Sequence, residues 1–277
     1  MERLAHRRED YEKAIEAFLR PRKRNKHVIG TLLVGSYATG LETPLSDIDV
    51  CMVLENGVRR WERGNVMVSD FLVEYAAYPI AYIKYLQERD LRERMRLRTR
   101  MLATGIILFD KNGVVRRLQK EARVLLKRKL PPQYTETTEI HKYLLWDQLN
   151  NLRDLRRQRA RGFAYAYYAA LQNLLNFYAS YLRIEVPRPN RIHCFFSDAE
   201  FRARYGIRAF PDAMFSKLFE RAMRWPSLPI LTRLTARVHK RMGGFSINGW
   251  KLCGWVPGNA SWRRRKRIEQ RTEHRPR

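Results

Sequence analysis

The chain has 277 residues, of which 45% are hydrophobic, and it carries a formal net charge of +27. This length allows a substantial core and suits one large domain or two small ones. Three scattered cysteines exclude a disulfide framework and a zinc site, and six histidines form no HExxH-like cluster, so a zinc hydrolase is unsupported. No apolar run approaches a membrane span, and the N-terminus is predicted to be an amphipathic helix, so we expect a cytoplasmic protein without a membrane partner.

The first part of the chain alternates between apolar strands and helices. Residues 3–20 are predicted to form a helix that ends at Pro21, and residues 79–100 a second helix that begins at Pro79. Strands are predicted over 28–35, 47–54, 66–78 (a strand or hairpin arm) and 105–110.

From about residue 114 the hydrophobic period becomes helical. Helices are predicted over 114–129, 136–160 and 163–183, a loop over 186–191, and shorter helices as far as about residue 242. Trp262 to Arg277 is a basic segment that is too polar to pack, and we expect it to be disordered.

The segment from Val34 to Val50 carries the most chemical information. It is predicted to form a strand, a Gly-Ser turn, a short helix, a loop and a second strand. Since side chains alternate along a strand, Asp47 and Asp49 point the same way. Two adjacent carboxylates repel each other unless a cation offsets their charge, and hard oxygen ligands suit Mg²⁺. Gly35 allows a ligand to approach the backbone, and Ser36 can donate a hydrogen bond to a phosphate.

A Gly-Ser pair followed after ten residues by Asp-Ile-Asp resembles the signature of the DNA polymerase β-like nucleotidyltransferase superfamily. The resemblance is greatest to the branch of minimal nucleotidyltransferases and kanamycin nucleotidyltransferase-like enzymes, which commonly reads GSxAxG…SDID; Gly40 and Ser46 match it. It covers about the first 115 residues. It implies an α+β fold with a small mixed-sheet catalytic domain over 1–115, an all-α helical-bundle domain over 116–260 and a tail over 261–277.

The family requires a third carboxylate on a neighbouring strand. Asp70 and Glu74 have the same parity in the predicted strand 66–78, so both are candidates. We favour Glu74, because it lies mid-strand where a charge needs a reason, whereas Asp70 follows Ser69 at a place where a turn explains it.

The resemblance implies the chemistry of the site. Two Mg²⁺ ions bound by Asp47, Asp49 and Glu74 would hold a nucleoside triphosphate (NTP), ATP or another, whose terminal phosphates lie against Gly35 and Ser36. One ion would lower the pKa of an acceptor hydroxyl and the other would stabilise the departing pyrophosphate. Glu74 would accept the proton of that hydroxyl, or help the metal to lower its pKa.

The positive charge lies almost entirely in the second part of the chain. Residues 1–115 contain 20 Lys and Arg against 16 Asp and Glu, whereas residues 116–277 contain 35 against 12. In two-domain relatives the helical domain faces the acceptor, so a net charge of +23 there favours a polyanion. Guanidinium groups beside tyrosines suit RNA, such as a tRNA 3′ end. The candidate acceptor-binding residues are Arg153, Arg156, Arg157 and Arg159.

Other acceptors and roles remain open at this stage. A small molecule such as an aminoglycoside, or a protein hydroxyl as in toxin–antitoxin AMP transfer, would keep the chemistry and change the acceptor. A polycationic aminoglycoside calls for an acidic binding half, which this chain lacks. An inactive nucleic-acid-binding module is a third possibility, although the intact Gly-Ser and Asp-x-Asp pairs argue against it. Asp147 is either a base acting on the acceptor or a hydrogen-bonded helix residue.

Overall fold

The computed structural model describes residues 8–253, so the tail predicted over 261–277 lies outside the described residues. Five strands lie in the first part of the chain: β1 Val28–Val34, β2 Ile48–Leu54, β3 Glu62–Val68, β4 Phe71–Pro79 and β5 Ile106–Asp110. The helices around them are α1 Arg8–Lys23, α2 Gly35–Thr39, α3 Ile80–Arg92, α4 Leu97–Thr104 and α5 Val114–Lys127. The second part contains α6 Thr135–Arg157, α7 Phe163–Tyr181, α8 Ile192–Ser197, α9 Ala199–Tyr205, α10 Ala213–Arg224 and α11 Leu228–Arg241.

The strands form one mixed sheet in the order β3-β4-β2-β1-β5. Strand β1 pairs antiparallel with β2 and β5, β3 pairs antiparallel with β4, and β2 and β4 run parallel. A parallel pair needs a crossover, and here the crossover from β2 to β4 is the edge strand β3 and its turn. The α+β fold class predicted from the sequence is confirmed.

Each face of the sheet is covered by helices, because the central strands are apolar on both sides. Helix α1 packs on one face, where Phe18 and Leu33 belong to one buried cluster. Helices α3, α4 and α5 pack on the other face, in a cluster that includes Leu32, Cys51 and Val115. Asp49 and Glu74 have the parity of this second face, and they lie at the end of it where β2 begins.

Helices α6 to α11 form a separate hydrophobic core. Helix α7 lies at its centre, and its buried residues follow the helical period from Tyr167 to Tyr178. Because α7 is apolar around much of its circumference, it needs neighbours on several sides, and it contacts α6, α10 and α11.

Several contacts join the helical part to the sheet. Arg100 on α4 donates two hydrogen bonds to the carboxylate of Glu185, at 2.6 and 2.9 Å, and the two side chains are only 11% and 13% exposed. Arg204 on α9 donates to the carbonyl oxygen of Gly40, which follows α2. Leu41 packs against the core of the helical part.

Three element boundaries differ from those predicted. Pro21 does not end the first helix but lies in its last turn, where the missing N–H costs a single hydrogen bond. The predicted helix 79–100 is two helices, broken where Arg94 has a positive φ of 60°. The predicted strand 66–78 is the end of β3, a turn at Ser69 and Asp70, and β4; Ser69 has a φ of 53°. The domain boundary at residue 115 stays a prediction, and the packing of α5 on the sheet favours a later one.

Candidate active site

Three carboxylates come together at one end of the sheet. Asp47 directly precedes β2, Asp49 is its second residue, and Glu74 stands opposite Asp49 in the parallel pair of β2 and β4. One carboxylate oxygen from each residue lies within 4.8 Å of the other two, and all three side chains are half-buried. Oxygen donors at this spacing suit a hard divalent cation, so the residues present fit Mg²⁺.

Gly35 closes one side of the acid cluster. It follows β1 directly and has a φ of +71°, which glycine adopts without strain. A Cβ atom at this position would lie 2.0 Å from Oδ2 of Asp49. The conformation and the available space therefore both require glycine, and the backbone of α2 begins directly against the carboxylate. Ser36 is the next residue, half-buried at the start of α2.

The loop from Gly40 to Ser46 delivers Asp47 to the site. Its last residues form a tight turn in which the Thr43 amide donates to the Ser46 hydroxyl at 2.9 Å and the Ser46 amide donates to the Thr43 carbonyl at 2.9 Å. The Ser46 hydroxyl and amide therefore hold the turn by local hydrogen bonds, without support from a neighbouring helix or strand. The SDID motif thus combines a turn residue, Ser46, with the two acids that follow it.

Burial and the neighbouring acids raise the pKa of Asp49 from 3.8 to about 7. Burial is the largest cause, followed by the charges of Asp47 and Glu74; Arg188 and Arg63 act in the opposite direction. Burial and the repulsion by two neighbouring carboxylates both disfavour the ionised form of Asp49, and a bound cation would oppose both effects. Near neutral pH the cluster therefore holds less than its full negative charge in the absence of metal.

Two arginines near the acids were not predicted from the sequence. Arg63 on the edge strand β3 forms a hydrogen-bonded ion pair with Glu74, which raises the pKa of Arg63. Arg188 reaches Asp49 electrostatically from the loop that follows Glu185 in the helical part. Asn65 of β3 pairs with Glu74, and Arg63 lies two residues before Asn65 on the same face of the strand. With that strand pairing known, Arg63 could have been predicted. Arg188 had no local signal, since only tertiary structure brings it to the acids.

The four arginines proposed to bind the acceptor lie elsewhere. Arg153, Arg156 and Arg157 are exposed near the end of α6, and Arg159 is exposed in the turn before α7. The other end of α7 approaches the sheet, because the Ser180 carbonyl accepts a hydrogen bond from Arg94 at 2.5 Å. At 1.5 Å per residue, the turn is about 25 Å from that contact. None of the four is among the charged groups that act on Asp49.

The remaining predicted residues have structural surroundings. Asp70 lies in the exposed turn between β3 and β4, as the interpretation of it as a turn residue expected. Asp147 accepts a hydrogen bond at 3.2 Å from Asn151, one turn further along α6. This intrahelical bond is compatible with the structural interpretation of Asp147.

The first part of the chain matches a known protein family. Residues 12–125 match the family model described as the nucleotidyltransferase domain. No curated protein sequence matches the chain significantly. Among solved structures, the chain is similar to a nucleotidyltransferase-like protein from Exiguobacterium sibiricum 255-15, with 13% sequence identity and a TM-score of 0.42, over 84% of this chain and 77% of that one.

The matched segment begins in α1 and ends in α5, so it contains the whole sheet and all three acids. The narrower resemblance to the kanamycin nucleotidyltransferase-like branch stays a prediction. Residues 12–125 form a nucleotidyltransferase domain of the DNA polymerase β-like superfamily, and the chain is a transferase.

Proposed function

We propose that the chain is a Mg²⁺-dependent enzyme that transfers a nucleoside monophosphate from an NTP to a hydroxyl group of RNA. The observation that carries the metal dependence is the acid cluster: three carboxylates within 4.8 Å, one of them with its pKa raised to about 7. Such an arrangement is unfavourable by itself and is stabilised by a bound cation.

Each residue of the site has a distinct part in this proposal. Asp47, Asp49 and Glu74 would bind the metal ions, which supply charge for the triphosphate and lower the pKa of the attacking hydroxyl. Glu74 accepts the proton of that hydroxyl or orients it. Gly35 lies directly beside Asp49, and it receives the terminal phosphates together with the next residue, Ser36. Arg63 neutralises Glu74 while the acids are unliganded.

RNA as the acceptor is supported by charge and by placement. The helical part carries most of the +27 net charge, and it is held on the sheet by the Arg100–Glu185 pair and by Leu41. The charge of Arg188, which belongs to this part, lowers the pKa of Asp49, so positive charge of the helical part acts on the acids. A polyanion attracted to the helical part is therefore delivered to the side where transfer takes place.

The direct test is a labelling reaction. The protein is incubated with each α-³²P-labelled NTP, Mg²⁺ and total RNA, and the products are separated by electrophoresis. We expect one or more NTPs to label RNA, and we expect chelation by EDTA or the Asp49→Asn substitution to abolish labelling. Label in a protein band, or only in a small molecule, would contradict the RNA acceptor while leaving nucleotidyl transfer intact.

A further inference from the structure

Four aromatic side chains form a ladder on the catalytic domain. Trp61, just before β3, stacks on Tyr82 of α3, with ring centroids 6.2 Å apart and planes within 6°. Tyr82 in turn stacks on Tyr85, at 5.8 Å and 20°. Tyr78, at the end of β4, packs against both Trp61 and Tyr82. Tyr78 is buried and Tyr82 half-buried, whereas Trp61 and Tyr85 remain 55% and 49% exposed.

The ladder continues the face of the sheet that carries the acids. Tyr78 is four residues from Glu74 on the same strand, so it has the same parity and lies about 13 Å further along. Trp61 lies next to Tyr78 because Glu62 pairs with Ala77. Tyr82 and Tyr85 are three residues apart and therefore neighbours on the surface of α3. A track of rings thus leads away from the acids.

Positive charge lies along this track. Arg59 and Arg60, both exposed, directly precede Trp61. Arg98 and Arg63 lie close enough to Tyr78 to oppose the rise in pKa that its burial causes. Two exposed acids flank the track: Glu62 directly follows Trp61, and Glu88 lies one turn beyond Tyr85. The track therefore combines ring faces with guanidinium groups, which is the combination that binds single-stranded nucleic acid.

We propose that Trp61 and Tyr85, the exposed rings of the ladder, are a stacking platform for bases of a single-stranded nucleic acid, with Tyr82 packed between them and Arg59 and Arg60 on the phosphates. A purely structural role, in which Trp61 packs on Tyr78 to bury it, would explain that one contact. It would not explain why Trp61 and Tyr85 each keep about half of their surface exposed to solvent. The proposal deepens the proposed function and rests on it for the identity of the strand: the RNA end that receives the nucleotide.

A strand fits the platform better than the base of the NTP does. One base needs one ring, whereas here two stacked ring pairs extend in a row. Repeated stacking on successive rings is how single strands are bound without sequence preference. The adjacent Arg59 and Arg60 would meet a phosphate backbone beside those bases, and they lie on the side of Trp61 away from Glu62 and the rest of β3.

The test measures binding separately from transfer. A fluorescein-labelled octauridylate is titrated with the full chain, without NTP or metal, and anisotropy is recorded at several salt concentrations. We expect Trp61→Leu to weaken binding about ten-fold, equivalent to about 1.4 kcal/mol, without changing the salt dependence. Trp61→Phe keeps a ring and should lose less than Trp61→Leu. Replacement of Arg59 and Arg60 by Gln should instead flatten the log–log salt slope by about 1.4.

Trp225 provides a matched control, because it is 78% exposed and lies in the helical part after α10. Trp225→Leu should bind the oligonucleotide as the unaltered chain does. If Trp61→Leu does not fold stably, Tyr85→Leu replaces it and should show the same loss of binding. Equal affinity for the unaltered chain and both ladder variants would overturn the proposal. A comparable loss in ATP affinity on Trp61→Leu would also overturn it, since the ring would then bind the NTP base. Absence of RNA labelling by the active enzyme would refute the proposed function and leave this binding result standing.

Discussion

At the residue scale, the site depends on three carboxylates that repel each other. Asp47 and Asp49 are two residues apart and therefore point to the same side. The register of β2 and β4 places Glu74 directly opposite Asp49. Arg63 relieves part of this repulsion, and Gly35 prevents any side chain from separating the acids from the backbone of α2. Each of these contacts leads to a distinct expectation for a substitution.

Asp49→Asn should abolish nucleotidyl transfer and stabilise the metal-free fold. Because the pKa of Asp49 is raised in the folded state, the carboxyl group loses its proton at a higher pH in the folded state than in the unfolded state. The stabilisation contributed by Asp49 therefore falls as the pH rises from about 4 to about 7 and is lowest above pH 7. In EDTA at pH 8 the variant should have the higher melting temperature, by several degrees in a thermal melt. An unchanged melting temperature, or near-normal turnover, would show that the acids are not coupled in this way.

Glu74→Gln should reduce transfer far more than Asp70→Asn. Glu74 belongs to the acid cluster, whereas Asp70 lies in an exposed turn. Loss of a metal ligand or base costs about 10²-fold or more, which corresponds to about 3 kcal/mol of barrier. Initial rates at saturating NTP measure both. Equal effects of the two substitutions would mean that another acid completes the site.

At the element scale, one buried carboxylate joins three helices of the bundle. Asp212 is 3% exposed, caps α10 through the Phe215 amide, and accepts a hydrogen bond from the Tyr178 hydroxyl of α7 at 2.8 Å. Arg237 of α11 donates to both of its oxygens at 2.6 to 2.9 Å. Burial alone would raise the pKa of Asp212, but the hydrogen bonds from Arg237, Phe215 and Tyr178 outweigh it and lower the pKa to about 2.

Asp212→Asn should destabilise the protein by about 2 to 3 kcal/mol at neutral pH, because it leaves Arg237 without its anion. The pKa of Asp212 is lower in the folded state than in the unfolded state, so its stabilisation is present above about pH 4 and is lost as the pH falls towards 2. Urea unfolding at pH 7, 4 and 3 should show the variant and the unaltered chain converging. Asp154→Asn is the control, since Asp154 forms only an exposed pair with Arg157. A constant difference across this pH range would contradict the role assigned to Asp212.

The sequence predicted most of these elements, and its errors have physical causes. Strands β1, β2 and β5 have strong apolar patterns and helices α6 and α7 are long, so their periods were unambiguous. The break at Arg94 depends on a positive φ at a residue other than glycine, which local composition does not reveal. The turn at Ser69 and Asp70 was expected as an explanation of Asp70, but not as the boundary between two strands. The pair Asp47 and Asp49 followed from the motif, whereas Arg188 reaches them only through packing of the helical part.

At the scale of the whole molecule, charge and shape are distributed unequally. The sheet half is nearly neutral, the helical half is strongly basic, and the exposed arginines around Arg156 lie at its far end. Along α7, that end is about 25 Å from the contact between Arg94 and Ser180. A contact with RNA there requires a strand or duplex long enough to span the helical part.

Replacement of Arg156, Arg157 and Arg159 by Gln should therefore affect long RNA and spare short oligonucleotides. With about 0.7 of slope per phosphate, the log–log dependence of binding on salt should flatten by about two units for a full-length tRNA. A dinucleotide, which cannot span that distance at roughly 3.4 Å per nucleotide, should show little change. The control removes three exposed charges from α5, by replacing Arg116, Arg117 and Lys120 with Gln. Equal slopes for both triple variants would assign the effect to net charge and not to this surface.

The contacts of the Gly40–Leu41 segment bear on whether the catalytic domain is a module. Arg204 binds the Gly40 carbonyl, Leu41 packs into the helical core, and Asp47 follows six residues later. Removal of residues 128–277 would uncover Leu41 and leave the loop that carries Asp47 without its anchor. If this domain were transferred to another protein in evolution, the new neighbouring domain would have to replace the contacts that Leu41 and the Gly40 carbonyl make here. Separate expression of residues 1–127 and 128–277 should give two inactive fragments, and activity should return only when they are refolded together.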